Sequence, residues 1–582
     1  MSILAPNGSF PLIEEDVPHY GTTQRYKCWK KGPGYPNSEV SLTLTELYES
    51  TADKLDQTFI VYDDERFTFG ETLSQAAAIA REMRASYGIQ KGEVVAITGR
   101  NSPEWIYAFM ACGFCNAVAL PMNSLWKTEE LEYGLEDSGS RLIFLDEERL
   151  QIYGNALSQW IPKFGLRLIG MRCEPPGGVS FASAAATGAQ RSALPPLVVN
   201  QDDYAVLMYT SGTTSNPKGV LSTHRQLMTA VNNSNMGHAA GVARIMASVK
   251  PGEPLPAFPQ AGILVGVPLF HATGLHAILL ASYYPGRKVV LMKKWDATKA
   301  LELIQKEKIT RFTGVPTMSY EMMNHPDFDK YDTSSMLDVG GGGAAFKASF
   351  AKEIMGKFKK ARGNQGWGMT ETNSVGTYNG GRGYLKHPES CGRAHLMMEV
   401  CAIDTSTLEP LGPNGIGELC IRGAAVMSEY YKKPAKTAEA LHIDRDGKLW
   451  MRTGDIGRVN EDGFVFIMDR LKDMIIRGGE NISCAEVESK VYEHPSVAEV
   501  AVFGMPDDRL GETVAAAMTF KPGAKPATVQ EIIDVCSALA KFKVPSHVFV
   551  WPERELPKGA TGKIHKKTIK EALMKAPPGS KL

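Results

Sequence analysis

The sequence lacks a long apolar run and an excess of charge of either sign. Its apolar run at 262–270 is far shorter than the ~18 residues that a membrane-spanning helix needs. The 582 residues carry 64 Lys and Arg against 64 Asp and Glu, so the formal net charge is zero. This balance argues against a nucleic-acid scaffold or a polybasic membrane-binding protein. No transmembrane segment and no nucleic-acid partner are expected.

Cysteines and N-terminal basic residues are also scarce. The nine cysteines are scattered over the whole length, which favours a reducing compartment over a disulfide framework. Residues 1–20 contain neither Lys nor Arg, so we expect no secretory or mitochondrial leader. These absences leave a large intracellular enzyme among the remaining classes of protein.

The length and the pattern of the chain predict an α/β fold with more than one domain. At 582 residues the chain exceeds what a single hydrophobic core usually supports. Short β-rich runs, followed by helical patterns, predict mixed sheets flanked by helices; they lie at 94–97, 141–145, 205–209 and 288–292. We expect a large N-terminal domain of several subdomains, 1–469, and a small mobile α+β domain, 470–582. The smaller domain should contain strands at 497–503 and 514–520 and a helix at 529–541.

A loop rich in potential phosphate donors follows the predicted strand at 205–209. It contains Thr210, Ser211, Gly212, Thr213, Thr214 and Lys218. Hydroxyl groups, glycine backbone and a lysine suit phosphate oxygens, although a polar surface turn has a similar composition. A nucleotide-binding P-loop is excluded, because that motif needs Gly-Lys-Ser/Thr whereas Lys218 here precedes Gly219.

This loop closely resembles the phosphate loop of the adenylate-forming superfamily, which contains acyl-CoA synthetases, luciferases and peptide-synthetase adenylation domains. Six further segments resemble the family's motifs in order and approximate spacing from about residue 45 to 570: an aromatic and His segment at 268–274, adenine-binding Gly342-Gly343-Ala344, a Thr-Glu segment at 366–372, ribose-binding Thr453-Gly454-Asp455, a hinge at 469–473 and a C-terminal lysine motif at 557–564.

The resemblance implies activation of a carboxylic acid by ATP and its transfer to coenzyme A. The carboxylate attacks the α-phosphate, pyrophosphate leaves, and the acyl-adenylate then reacts with a thiol. Lys563 would stabilise charge at the α-phosphate, and Glu371 would ligate Mg²⁺. Asp455 would accept hydrogen bonds from the ribose hydroxyls, and Arg470 would reach the ribose or a phosphate.

The implied site residues fall into three groups. The catalytic positions are Lys563, His271 and Thr370, with His271 placed in the pocket wall rather than as a base; the metal ligand is Glu371. The positions implied to bind ATP or coenzyme A are Thr210, Ser211, Gly212, Thr213, Thr214, Lys218, Gly342, Gly343, Ala344, Gly366, Trp367, Gly368, Met369, Thr370, Asp455, Arg470, Lys472, Gly478 and Gly479.

Some residues that invite a functional interpretation are better explained otherwise. Cys112 and Cys115 have the spacing of a redox or zinc site, but the surroundings are apolar and no second pair follows, so we expect core packing. Lys566, Lys567 and Lys570 are expected to be solvated lysines of the tail, which would make Lys566 a control for Lys563.

The expected acid is hydrophobic. The segment 469–488 most resembles medium- and long-chain acyl-CoA synthetases. The glycine-bearing loop at 477–482 resembles the family's loop that lines the pantetheine tunnel. No carrier domain follows Lys563, which favours free coenzyme A as the acceptor. A luciferase-like oxygenase on the same fold, or a ligase for an aryl or specialised-metabolite acid, remains an alternative.

The last three residues form a possible targeting signal. Ser580, Lys581 and Leu582 match the C-terminal tripeptide that the peroxisomal import receptor reads. The preceding 576–579 are Ala, Pro, Pro and Gly, which would leave the tripeptide accessible. The sequence therefore predicts that the import receptor is a partner and that the peroxisomal matrix is the location.

Overall fold

The computed structural model describes residues 43–192, 197–210, 217–235, 259–343, 349–478, 480–558 and 564–575. These residues form two compact units. The first contains the chain up to 388 with 392–399 and 422–441, and the second contains 389–391, 400–421 and the chain from 442 onward. The predicted α/β class, with mixed sheets flanked by helices and a large N-terminal and a small C-terminal domain, is confirmed. The predicted domain boundary between 469 and 470 stays a prediction.

One sheet of the first unit has eight strands. In spatial order they are Glu429–Tyr430 (β19), Lys218–Thr223 (β9), Tyr204–Thr210 (β8), Val118–Met122 (β4), Val94–Thr98 (β3), Leu142–Asp146 (β5), Arg167–Met171 (β6) and Val179–Ser180 (β7). The central strands β4, β3, β5 and β6 run parallel. All five residues of β4 are buried, as expected for a strand covered on both faces.

The second sheet of this unit carries parallel strands that end near one another. Its strands, in spatial order, are Gly392–Ala394 (β16), Thr377–Gly380 (β15), Arg362–Trp367 (β14), Asp338–Gly341 (β13), Arg311–Gly314 (β12), Gly262–Val265 (β10), Lys288–Leu291 (β11), Thr58–Tyr62 (β1) and Glu65–Thr68 (β2). In the parallel register, Gly314 lies opposite Gly341, and Gly341 lies opposite Gln365. The carboxyl ends of β12, β13 and β14 therefore lie side by side, which is where open α/β sheets bind ligands.

Helices surround these strands. They are Leu44–Glu49 (α1), Phe69–Ala85 (α2), Pro103–Cys115 (α3), Thr128–Ser138 (α4), Glu147–Phe164 (α5), Phe181–Ala189 (α6), helical residues 224–235 (α7), Ala297–Glu307 (α8), Pro316–Met323 (α9), Phe350–Lys357 (α10), Arg382–Lys386 (α11) and Pro434–Ala440 (α12). Helix α3 begins with Pro103 after a Ser102 cap and buries Cys112 and Cys115, so their predicted packing role is confirmed. None of the helices in the described residues is long and apolar enough to cross a membrane.

Five more strands lie mostly or wholly in the second unit: Met398–Ile403 (β17), Gly417–Gly423 (β18), Leu441–Ile443 (β20), Leu449–Val459 (β21) and Phe464–Arg470 (β22). A further sheet is formed by Ile475–Arg477 (β23), Glu480–Ile482 (β24), Val497–Asp507 (β25), Gly511–Phe520 (β26) and His547–Val550 (β27). Its helices are Cys484–Val491 (α13), Val529–Cys536 (α14) and Lys566–Lys575 (α15). The helix predicted at 529–541 is thus too long; it ends at Cys536, where the hydroxyl of Ser537 donates to the carbonyl of Asp534 at 2.6 Å.

Candidate functional site

The glycines predicted to approach adenine lie at the carboxyl ends of β13 and β14. Gly342 and Gly343 follow β13, while Gly366 and Trp367 end β14. A Cβ on Gly342 would lie 2.6 Å from the carbonyl oxygen of Gly366, and Gly343 has a φ of +82°. Only glycine satisfies both the close approach and the left-handed backbone. Ala344, the third residue of this motif, lies outside the described residues.

Glu371 is fixed in a short turn that follows β14. The turn, Thr370–Thr372, comes after Gly368 and Met369, and the peptide N–H of Met427 donates to the carbonyl oxygen of Glu371 at 2.8 Å. Glu371 is only 6% exposed. The phenol of Tyr430 donates to its Oε1 at 2.7 Å. Across the part of the chain that the structure describes, no Lys, Arg or His forms an ion pair with this carboxylate.

Tyr430 also contacts the lysine of the phosphate loop. The Nζ atom of Lys218 lies 4.3 Å from the centroid of the Tyr430 ring, within the range of a cation–π contact. Lys218 lies opposite Thr210 across the antiparallel pair β8–β9. Burial and the neighbouring Glu371 raise the pKa of Tyr430, so its phenol stays protonated and donates. Lys218 and Glu371 thus both contact Tyr430. The other predicted residues of the phosphate loop, Ser211, Gly212, Thr213 and Thr214, lie outside the described residues.

Sequence reasoning missed Tyr430. It is 59 residues from Glu371, in the two-residue strand β19 that pairs with β9. The next residue, Tyr431, is also a tyrosine, so the sequence gives no local reason to choose Tyr430. The only signal was the pair of aromatic residues shortly before Pro434, where α12 begins, and such a pair is too weak to indicate a site.

His271 is a neutral imidazole in the structure. Its Nδ1 accepts a hydrogen bond from the peptide N–H of Thr273 at 3.3 Å, which leaves the proton on Nε2. Burial lowers the pKa of His271 to about 4. The residue precedes a π-helical segment, Thr273–Leu279, a type of helix often found at functional sites. This geometry agrees with a place in a pocket wall, and the catalytic roles of His271 and Thr370 stay predictions.

Asp455 and Arg470, in the second unit, form an ion pair. They lie opposite each other in the hairpin β21–β22, and the Arg470 Nε is 2.6 Å from the Asp455 Oδ1. Asp455 is only 4% exposed. Its peptide N–H donates to the hydroxyl of Thr453 at 3.1 Å, and that hydroxyl donates to the carbonyl of Leu419 at 2.6 Å. Thr453 therefore fixes the backbone that presents the carboxylate.

The hinge segment is joined to helix α13. The Asp469 Oδ2 accepts from the hydroxyl of Ser483 at 3.1 Å and from the peptide N–H of Ala485 at 3.2 Å. Desolvation lowers the pKa of Lys472. Gly478 has a φ of +58°, which suits the predicted glycine loop, while Gly479 lies outside the described residues.

Lys563 lies outside the described residues, but the residues that border its segment do not. Lys558 and Ile564 form an antiparallel bridge. The interpretation of Lys566 as a solvated lysine is wrong: its Nζ is 2.8 Å from the Glu488 Oε1, and its side chain is 23% exposed. Helix α15 directs this side chain toward α13, a tertiary contact without a local sequence signal. Lys567, 59% exposed, is the solvated lysine that was expected.

The described residues contain no group of three or more His, Cys, Asp or Glu side chains that could hold a metal ion. A single buried carboxylate, Glu371, fits the way in which Mg²⁺ is usually held beside nucleotides, through one or two carboxylates together with substrate phosphates and water. The residues present therefore fit a magnesium ion that arrives with ATP.

Comparison with known proteins shows the family of the chain. A family model described as AMP-binding enzyme matches residues 47–431, and one described as AMP-binding enzyme C-terminal domain matches 486–563. The long-chain-fatty-acid–CoA ligase of Bacillus subtilis is 33% identical over 92% of this chain and 95% of its own length. The mitochondrial medium-chain acyl-CoA ligase ACSF2 of Homo sapiens is 31% identical over 92% and 88%. ATP-bound MatB from Rhodopseudomonas palustris aligns with a TM-score of 0.77 and 26% identity, over 91% of this chain and 99% of MatB.

Proposed function

Since the chain belongs to the AMP-binding enzyme family and is an AMP-forming acyl-CoA ligase, we propose that it couples a medium- or long-chain fatty acid to coenzyme A. The observation that carries the adenylation step of this proposal is the arrangement around Tyr430, which contacts both a buried carboxylate and a lysine. The two relatives named above have long-chain and medium-chain acids in their names, which supports this substrate class.

The reaction proceeds in two steps. A carboxylate oxygen attacks the α-phosphate of ATP, the bond to the bridging oxygen breaks, and pyrophosphate leaves with the electron pair. The thiolate of coenzyme A then attacks the acyl carbon, and AMP leaves. Lys218 and the loop hydroxyls bind the leaving pyrophosphate in this proposal, because cations and donors stabilise the charge that accumulates there.

Glu371 is the residue that would hold magnesium. Tyr430 fixes Oε1 from one side, and this orients the carboxylate without neutralising it. When bound, Mg²⁺ supplies positive charge to phosphate oxygens that gain negative charge in the transition state. In the second unit, Asp455 would accept hydrogen bonds from the ribose hydroxyls, with Arg470 holding its Oδ1.

Two apolar side chains near the carboxyl ends of β12 and β14 support a hydrophobic acid. Trp367, at the end of β14, is only 8% exposed, and the Cγ1 of Val315 lies 3.9 Å from where a Cβ on Gly343 would be. Each CH₂ group that the acid buries contributes ~0.8 kcal/mol. Longer acids should therefore bind more tightly than acetate.

The test is pyrophosphate release across a panel of acids, with and without coenzyme A. The panel should include acetate, hexanoate, dodecanoate and an aryl acid at subsaturating concentrations. We expect hexanoate or dodecanoate to exceed acetate by at least about tenfold, which corresponds to ~1.4 kcal/mol. Equal rates for acetate and the longer acids would contradict the substrate class, and light emission with a luciferin would favour the oxygenase alternative.

We further propose that the enzyme works in the peroxisomal matrix, through the import receptor's recognition of Ser580, Lys581 and Leu582. The tripeptide itself supports this, since receptors of this kind read a C-terminal S-K-L. Deleting it should move a tagged enzyme to the cytosol while pyrophosphate release stays unchanged. Punctate localisation that persists after deletion would contradict the proposal.

A further inference from the structure

The short turn that carries Glu371 ends in an uncommon backbone conformation. Asn373 and Ser374 have φ angles of +51° and +72°, in the left-handed region that residues other than glycine seldom adopt. The peptide N–H of Asn373 donates to the carbonyl oxygen of Thr370 at 3.0 Å, so the chain turns back just after Glu371. Asparagine tolerates this conformation better than most residues, but such a turn persists only where its surroundings hold it.

The side chain of Asn373 supplies contacts that hold the turn. Its Nδ2 donates to the Ser222 Oγ and to the carbonyl oxygen of Ala425, both at 3.0 Å. Asn373 is 1% exposed, and a buried donor that loses its acceptor is costly. The amide therefore fixes Asn373 relative to both of these neighbours.

The two acceptors belong to the segments that carry the other residues of the site. Ser222 lies in β9, the strand that begins at Lys218. Ala425 lies shortly before Tyr430 in the chain, and all of these residues belong to the first unit. One amide thus joins the turn of Glu371 to the strand of Lys218 and to the segment that leads to Tyr430.

We propose that Asn373 is a positioning residue for Glu371, acting through its two side-chain hydrogen bonds. The inference rests on the proposed function, because it takes Glu371 as the carboxylate that holds Mg²⁺. Removing a group that orients a metal ligand typically lowers metal affinity about 10–100-fold. Asn373 should therefore affect the part of ATP binding that depends on Mg²⁺, and affect the binding of metal-free ATP much less.

The experiment measures the affinity of the full-length chain for ATP by calorimetry, once with Mg²⁺ and once with a chelator. Acid and coenzyme A are left out, so the ratio of the two dissociation constants reports the metal without any turnover. Asn373→Gly removes both hydrogen bonds, while glycine keeps the left-handed backbone. We expect the gain in affinity from Mg²⁺ to fall about tenfold, and the affinity for metal-free ATP to change by less than about twofold.

Asn116 offers a matched control. It is also 1% exposed and has a φ of +50°, and its described side-chain hydrogen bonds go to Asp203 and His224. Asn116→Gly should therefore lower the free energy of unfolding as Asn373→Gly does, yet keep the full gain in affinity from Mg²⁺. A loss of this gain in both variants would be a general structural effect and would overturn the positioning role.

Ser222→Ala is the second variant, because it removes one acceptor of Asn373 and leaves the turn itself unchanged in sequence. It should reduce the gain from Mg²⁺ in the same direction, by less than Asn373→Gly. An unchanged gain in either variant, or equal losses of affinity with and without Mg²⁺, would overturn the positioning role.

Glu371→Gln distinguishes a failure of this inference from a failure of the proposed function. If Glu371→Gln keeps the gain in ATP affinity from Mg²⁺, Glu371 does not hold the metal, and both the assigned ligand and the present inference are wrong. If Glu371→Gln loses the gain while Asn373→Gly keeps it, only the positioning role is overturned.

Discussion

Glu371 and Glu488 are both largely removed from water, but the chain holds their carboxylates in different ways. Glu371, in the first unit, accepts a hydrogen bond from the neutral phenol of Tyr430 at 2.7 Å. Glu488, in the second unit, faces the ammonium of Lys566 at 2.8 Å. The first is oriented and forms no ion pair with a described residue, while the second is paired with a cation.

The difference separates a binding role from an anchoring role. A buried carboxylate is costly unless a cation or several donors compensate its charge. Lys566 provides that compensation within the chain, so Glu488 contributes to holding α13 and α15. Glu371 has only a neutral donor, and its charge is available to a cation that arrives with the nucleotide.

The largest effect is expected for Glu371→Gln. The amide keeps an acceptor for Tyr430 but loses the charge that would bind Mg²⁺. Pyrophosphate release should fall about 10²–10³-fold, while the free energy of unfolding should stay the same or rise, because the amide removes a buried charge that forms no ion pair with a described residue. Glu439→Gln, at an exposed glutamate paired with Lys436, is the control. Near-normal pyrophosphate release by Glu371→Gln would contradict the proposal that this carboxylate binds Mg²⁺.

Lys566→Met should act mainly on stability. It leaves the partly buried carboxylate of Glu488 with the peptide N–H of Val502 but without its cation, and this loss should cost about 1–3 kcal/mol. Denaturant unfolding measures the loss, and Lys567→Met should change the free energy of unfolding by no more than about 0.5 kcal/mol. If both variants were equally stable, the buried ion pair would have no anchoring role.

Tyr430→Phe should produce a smaller change that is specific to the metal. It removes a hydrogen bond to a charged group, worth roughly 1.5 kcal/mol, so the Mg²⁺ concentration for half-maximal adenylation should rise about tenfold. The ring that faces Lys218 is retained, and the KM for ATP should change much less. A matched Tyr431→Phe variant should leave the Mg²⁺ dependence unaltered. An unchanged Mg²⁺ dependence in Tyr430→Phe would show that the phenol does not orient Glu371.

Tyr430→Leu tests the ring of Tyr430 separately from its hydroxyl, and we expect the smallest effect here. Compared with Tyr430→Phe, it also removes the ring beneath the Lys218 ammonium, a contact worth about 0.5–1 kcal/mol. The KM for ATP should rise a further two- to fivefold. Identical ATP kinetics in the Leu and Phe variants would mean that the ring contributes nothing to the position of Lys218.

The sequence predicted what local patterns encode. The strands at 94–97, 141–145 and 205–209 were predicted from β-branched and apolar runs and are present as β3, β5 and β8. Glu371 and Asp455 were identified through short motifs, because each lies beside its motif neighbours in the chain. Nothing local marks Tyr430 or the pairing of Lys566 with Glu488, since these contacts form only when distant segments pack.

The end of a helix was also hard to predict from the sequence. The apolar pattern that continued to 541 gave no reason to end α14 at Cys536, where a serine hydroxyl bonds back to the helix. At such ends a side-chain hydroxyl competes with backbone N–H groups as the donor to a helix carbonyl. The ion pair of Lys566 could not be predicted either, because a lysine in a basic tail is expected to be solvated unless its acidic partner is known.

The most direct test measures pyrophosphate release and the free energy of unfolding for Glu371→Gln and Glu488→Gln together. The two changes are chemically identical, so any difference reports the surroundings of each carboxylate. We predict that Glu371→Gln loses about 10²–10³-fold in pyrophosphate release with no loss of stability, whereas Glu488→Gln loses about 1–3 kcal/mol of stability and much less in rate. Matching losses of rate and stability in the two variants would contradict the distinction between a binding and an anchoring carboxylate.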